Sequence, residues 1–194
     1  MDTNVKADGF INEYLNAQAN LMRALPVEKI NSLIQIFVKA WQEDRQIFAF
    51  GNGGSAANAS HFITDLSKGA SDALPRRFRG MSLNDNMPWM TALANDYNYD
   101  EVFVRQLMNF ARKDDLVMVM SVSGNSQNLV KAVTWAKQNG IFTVALVGGK
   151  KGQLADLVDF VIVTDSDHYG RVEDAHMGIC HIVCYYLMEK LKAN

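Results

Sequence analysis

Two short loops and one helical pair carry the residue types that can do chemistry. Gly51-Asn52-Gly53-Gly54-Ser55 follows an apolar run and precedes a helical pattern. Its glycines let backbone N–H groups approach an anion at a helix N-terminus, where the aligned peptide dipoles favour negative charge. Ser55 adds a hydroxyl and is read as the cap of that helix. The second loop, Ser121-Val122-Ser123-Gly124-Asn125-Ser126, offers three hydroxyls and an amide just before another helical pattern. That composition suits a phosphate held by hydrogen bonds without a fixed positive charge. Neither loop is a familiar nucleotide motif, because Ala56 stands where G-x-G-x-x-G needs its third glycine, and Gly148-Gly149-Lys150 lacks the P-loop spacing. Either loop alone reads equally as a packing turn or a helix cap. Two of them at the mouth of one sheet point to a small, polar, phosphorylated ligand. His61 and Asp65, four residues apart, project from one helix face about 40° apart and could hold a divalent ion. As an isolated pair they read as an ordinary solvated i,i+4 contact.

The elements that must position these loops follow from apolar periodicity. Residues Phe10–Leu25 and Ile30–Trp41 repeat at three- and four-residue spacings and predict two helices before any strand. Unbroken apolar runs at 46–50, 116–120, 142–147 and 160–164, with a shorter one at 80–83, predict strands. Helices are expected over 56–68, 87–93, 101–112, 129–138, 152–157 and from Arg171 to Leu191. Strands without polar alternation are buried on both faces, so the fold class is a three-layer α/β/α sandwich with a central parallel sheet, preceded by two N-terminal helices. Ligands of such sheets bind at the C-terminal strand ends, where both loops fall.

The chain has 194 residues, 48% hydrophobic and 21% charged, with a formal net charge of −2. This length fits a single domain over residues 1–194 and leaves no room for a second catalytic one. The charge gives no overall field to attract nucleic acid or an anionic membrane. No apolar run approaches the 18 or so residues that span a bilayer. The polar opening, Met1–Asn4, lacks the character of a secretory signal, so a cytoplasmic location is expected. Cys180 and Cys184 read as two buried thiols in one apolar helix.

Gly51–Ser55 followed by His61, together with Ser121–Ser126, resembles the paired signature loops of the SIS (sugar isomerase) domain family over most of the chain. The N-terminal helical pair, Ala94-Asn95-Asp96-Tyr97, Arg105-Gln106 and the segment from Arg171-Val172-Glu173-Asp174-Ala175-His176 to His181 are similar to the phosphoheptose isomerases within it. The resemblance implies a 1,2 proton shift between ketose and aldose phosphates through an enediol, with sedoheptulose 7-phosphate as the substrate. It implies a zinc or other divalent metal held by His61, Asp65, Glu173 and His181, with Asp65 as base and His181 as acid. Asp65 stands where the family carries Glu, and Glu173 where it carries Gln. Asn52, Gly53, Gly54, Ser55, Asn95, Asp96, Ser121, Val122, Ser123, Ser126 and Glu173 are the implied substrate contacts. Glu173 and His181 are eight residues apart, a rise of about 12 Å, so sharing one ion requires long reach or a neighbouring subunit. His176, about 140° around the helix from His181, is expected to make another contact, and His168 reads as either a sugar contact or a surface residue. A homotetramer with sites at subunit boundaries is the implied assembly, residues 1–44 serving for packing and oligomerisation. Phe10, Leu15, Leu21, Met22 and Leu25 supply a surface for that, or else cover the sheet of their own chain. Two other functions stay open: a SIS protein that binds a phosphosugar or a replication partner without chemistry, and an isomerase of another phosphosugar.

Overall fold

A computed structural model describes residues 6–191, so the polar opening at Met1–Asn4 lies outside it. Helices α1 (Asp8–Arg23) and α2 (Val27–Gln42) lead into β1 (Gln46–Gly51). Then come α3 (Gly54–Thr64), a wide π turn (Asp65–Ala70), β2 (Arg79–Ser82), α4 (Met87–Asp96) and a 3-10 turn (Tyr99–Glu101). The chain continues through α5 (Val104–Phe110), β3 (Leu116–Ser121), α6 (Gln127–Gln138), β4 (Phe142–Gly148), α7 (Gly152–Leu157), β5 (Phe160–Thr164) and α8 (Tyr169–Lys190). The five strands pair in the order β2-β1-β3-β4-β5, all parallel. The expected sandwich is therefore present, with the two N-terminal helices on one face.

Strand alternation sorts the core into two halves. Ile47, Ala49, Met118, Met120, Val144 and Leu146 face one layer with α2, α3 and α8. Phe48, Phe50, Val117, Val119, Ala145 and Val147 face the other with α5 and α6. Because both faces are covered, these strands show no polar alternation, Thr143 being the one polar residue in their middles, which is why they read as apolar runs. The N-terminal helices divide their apolar residues. Leu21, Leu25 and partly Met22 pack into the first half-core, whereas Phe10 and Leu15 are 70% and 60% exposed.

Three boundaries differ from expectation, each for a local reason. Helix α3 begins at Gly54 with Gly53 as its cap at φ +56, so Ser55 sits inside the first turn, buried, rather than capping it. The reading of one helix over 101–112 is replaced by the 3-10 turn and α5. Asn98 accepts a hydrogen bond from the Asp100 N–H, and Phe103 turns inward to stack on Phe50 at 4.8 Å. The helix expected to end near Lys68 runs on as the π turn to Ala70, then folds back where Ser71 Oγ donates to the Leu66 carbonyl and accepts from the Phe78 N–H.

Candidate active site

Both loops follow adjacent parallel strands, β1 and β3, at their C-terminal ends. In the second loop the Ser121 hydroxyl oxygen accepts from the Gly124 N–H at 3.1 Å, and the Ser123 hydroxyl from the Asn125 N–H at 3.3 Å. Both oxygens are thus tied down as acceptors while their O–H groups stay free to donate to an anion. The loop is braced from outside by Leu154 N–H donating to the Gly124 carbonyl at 3.0 Å and Gly148 N–H to that of Val122 at 3.1 Å. Gly124 holds φ +66 and a Cβ there would run into the Lys151 carbonyl, so only glycine fits. Ser126 lies at the α6 cap with extended backbone.

In the first loop, the backbone of Gly51 is bracketed by one side chain. Its N–H donates to Asn84 Oδ1 at 3.2 Å, and Asn84 Nδ2 donates to its carbonyl at 3.0 Å. Gly53 and Gly54 are exposed at the positive end of α3. A Cβ at Gly54 would fall into the Glu173 carboxylate, which places Glu173 directly on this helix start. Burial and the neighbouring Asp174 raise the Glu173 pKa above the usual carboxylate range.

Helices α3 and α8 pack side by side in the same direction, since Asn58 Nδ2 donates to the Glu173 carbonyl at 2.8 Å and Cys184 lies against the Phe62 carbonyl. That alignment brings His181 to the pair read from sequence. Asp65 Oδ2 lies 3.4 Å from His61 Nε2 and 3.6 Å from His181 Nε2, and the two imidazoles meet edge to face at 5.1 Å. The ligating atoms of His61, Asp65 and His181 all fall within 4.8 Å of one another, two imidazoles and a carboxylate, a donor set suited to zinc. Asp65 opens the π turn, a distortion that often accompanies functional positions.

Glu173, expected as a fourth ligand, does not join this group within one chain. The helical rise keeps it about 12 Å from His181, at the other end of the shared α3–α8 face. Asn95 and Asp96 lie exposed at the end of α4, where Asn95 Nδ2 donates to Asp96 Oδ1 at 3.0 Å. His168 caps α8, accepting from the Arg171 N–H, with its ring against Tyr14. His176 is fully buried, and burial pulls its pKa down to about 4 against an opposing backbone contact at Val147. A cavity of about 660 Å³ opens at the opposite, N-terminal edge of the sheet, but Arg45 pairs with Asp114 and Lys137 with Asp159 there, so its facing charges are already satisfied.

Residues 13–148 match the SIS domain family. The phosphoheptose isomerase of Sulfurimonas denitrificans is 37% identical over 158 residues, covering 81% of this chain and 80% of that protein. That of Clostridium acetobutylicum is 34% identical over 168 residues, covering 85% and 84%. The chain belongs to the phosphoheptose isomerase family. The structure of a phosphoheptose isomerase from Francisella tularensis superposes with a TM-score of 0.88 at 25% identity, over 96% of this chain and all of that one.

Sequence reasoning about this phosphoheptose isomerase family member missed three polar residues that hold the loops. Besides Asn84, these are Asn128 and Tyr99. Asn52 and Asn128 exchange amide hydrogen bonds, Asn52 Nδ2 donating to Asn128 Oδ1 and Asn128 Nδ2 to Asn52 Oδ1, each at 2.9 Å. The Tyr99 hydroxyl donates to Asn52 Oδ1 at 3.0 Å. The one signal for Asn128 was a weak helix former set in the first turn of an otherwise good helix.

Proposed function

We propose that this isomerase interconverts D-sedoheptulose 7-phosphate and D-glycero-D-manno-heptose 7-phosphate through an enediol, supplying heptose for surface glycans. The names of its relatives support the substrate, and the convergence of His61 and Asp65 with His181 of the neighbouring helix α8 supports the chemistry. The phosphate is assigned to the Ser121, Ser123 and Ser126 hydroxyls with the backbone at Val122. Sugar oxygens are assigned to Asn52, Gly53, Gly54, Ser55, Asn95, Asp96 and Glu173. Asp65 takes the carbon-bound proton and returns it to the neighbouring carbon, while His181 protonates and deprotonates the oxygens, each group needing hydrogen-bond reach of its atom. His61, Asp65 and His181 would hold a divalent metal, which when bound stabilises negative charge on substrate oxygens. A single proton-transfer group contributes typically 10²–10⁴-fold.

The loops and the imidazole group lie about two helical turns apart on α3, some 10 Å. We therefore assign the complete site to a boundary between copies, with Glu173 and the loops of one copy facing His61, Asp65 and His181 of the next. The group suits this role, because its side chains are 53%, 24% and 43% exposed, beside exposed Ile182 and Tyr185. A homotetramer in the cytoplasm is the corresponding assembly and location; no described helix is long and apolar enough to cross a membrane.

The deciding experiment follows sedoheptulose 7-phosphate by NMR in deuterated water, with metal-loaded and chelated protein and with Asp65→Asn and His181→Ala. Turnover with deuterium at C2 of the aldose is expected, falling by about a hundredfold or more in each variant. Metal content is expected to fall in the same variants. A folded, metal-loaded protein that leaves the substrate untouched would end the catalytic reading in favour of a phosphosugar-binding one.

A further inference from the structure

The reciprocal pair between Asn52 and Asn128 joins the two loops, and the proposed chemistry gives Asn128 no role. The β1–β3 ladder ends at Gly51 and Met120, so the sheet does not fix how far apart the two loops stand beyond that point. The amide pair does. Asn52 Oδ1 accepts from both Asn128 Nδ2 and the Tyr99 hydroxyl, which fills its two lone pairs, and its Nδ2 donates to Asn128 Oδ1. Asn128 is 2% exposed, and its Oδ1 also accepts from the Leu129 N–H at 3.0 Å. A side chain so saturated and buried is unavailable to a ligand, and its effect is on the loops it joins.

The third partner is itself anchored. Tyr99 opens the 3-10 turn that ends at Glu101, and Glu101 holds Arg105 at 3.0 Å and Lys131 of α6 at 2.6 Å. Those two cations keep the Glu101 pKa below the usual carboxylate range, Lys131 contributing most. The turn is thereby tied to α6, the helix whose first turn carries Asn128, and it reaches across to the loop after β1. Loop, turn and helix form one braced unit around Asn52.

We propose that Asn52, Asn128 and Tyr99 form a specificity-determining spacer, which sets the gap between the two loops and so where the carbonyl end of a sugar phosphate gripped at the serine loop is held toward the facing copy's proton-transfer groups, and with it the carbon-chain length that reacts. The proposal rests on the isomerase reading above. A sugar phosphate gripped by its phosphate at the serine loop presents its carbonyl end a distance away that grows with each carbon, by about 1.2 Å per bond for an extended chain. Misplacement of a reacting atom by about 1 Å costs on the order of a hundredfold in rate. A spacer that is held by three hydrogen bonds therefore discriminates between chains differing by one or two carbons, and it does so mainly through kcat. Asn128 and Tyr99 are positioning residues, touching the loops rather than the sugar.

The test compares ketose phosphates of seven, six and five carbons with the wild type, Asn128→Ala and Tyr99→Phe, alongside thermal melts. For Asn128→Ala we expect the seven-over-five preference in kcat/KM to shrink about tenfold, through kcat more than KM. Tyr99→Phe, which leaves the amide pair intact, is expected to shift it the same way by about threefold. A folded Asn128→Ala that loses rate equally on all three sugars, or keeps its preference within about twofold, overturns the proposal. Should Asn128→Ala fail to fold, Tyr99→Phe decides by the same criterion. Wild-type protein inert toward all three sugars defeats the isomerase reading alone. The spacer is then judged by calorimetric affinities for the same three phosphates, a changed ratio in the variants upholding it and an unchanged one overturning it.

Discussion

At the residue scale, Glu173 shows what a departure from the family pattern does to a side chain. Its carboxylate lies on the exposed start of α3, where only glycine at 54 leaves it room, and it is pushed toward the neutral form by burial and by Asp174. A folded-state pKa above the unfolded value means the residue favours folding below the ordinary carboxylate range and loses that contribution as pH rises through its raised pKa. Glu173→Gln is therefore expected to raise the melting temperature at pH 7, with the gain vanishing toward pH 4. Turnover should fall if the carboxylate contacts the sugar. Melts across that range together with kinetics check both outcomes. The shorter Asp65 has a different setting: one oxygen is shared by two imidazoles, so its position is set by α8 as much as by its own helix.

At the scale of elements, α8 is the organising piece. One of its faces carries Glu173 to the first loop and His181 to Asp65, while another buries Ile179, Cys180, Val183 and Cys184 against the sheet layer. His176 belongs to the buried face. Buried, with its pKa about 4, it stays neutral in the folded protein while the unfolded chain protonates below about 6.5. Its contribution to stability is thus complete above pH 6.5 and is lost as the pH falls toward 4, by up to about 1.4 kcal/mol per pH unit. Denaturant unfolding between pH 6.5 and 4.5 should show that slope in the wild type and a flatter one in His176→Leu. The helices themselves are legible in the amino-acid sequence: the periods of α1, α2 and α6, like the apolar run of β3, depend on local patterning alone. Where legibility failed, at Tyr99–Glu101, burying Phe103 on Phe50 overrode a helical pattern.

At the scale of the whole molecule, exposed apolar side chains sit on two packed helices, one of which carries His181. Phe10, Ile11 and Leu15 lie on α1, and Ile182, Tyr185 and Tyr186 on α8, all at least 40% exposed. Burying such side chains is worth about 1.5–3 kcal/mol each, which would favour the neighbouring copy proposed above. Leu15→Glu is expected to lower the assembly state seen by light scattering at micromolar protein. Activity should fall with it if the site lies between copies, while the melt of the separated chain stays cooperative. An unchanged mass would place the boundary elsewhere.

By itself the sequence determined the layers, the parallel sheet and the location of both loops, because apolar runs, helix periods and glycine or serine chemistry act over a few residues. Tertiary structure decided which distant groups meet. Glu173 and Asn58 are 115 residues apart in the chain, and Asn52 and Asn128 are 76 apart. Whether His181 reaches Asp65 while Glu173 stays two turns away follows from the register in which α8 lies along α3. That register is set by how the two helices share one apolar layer, and no local pattern encodes it.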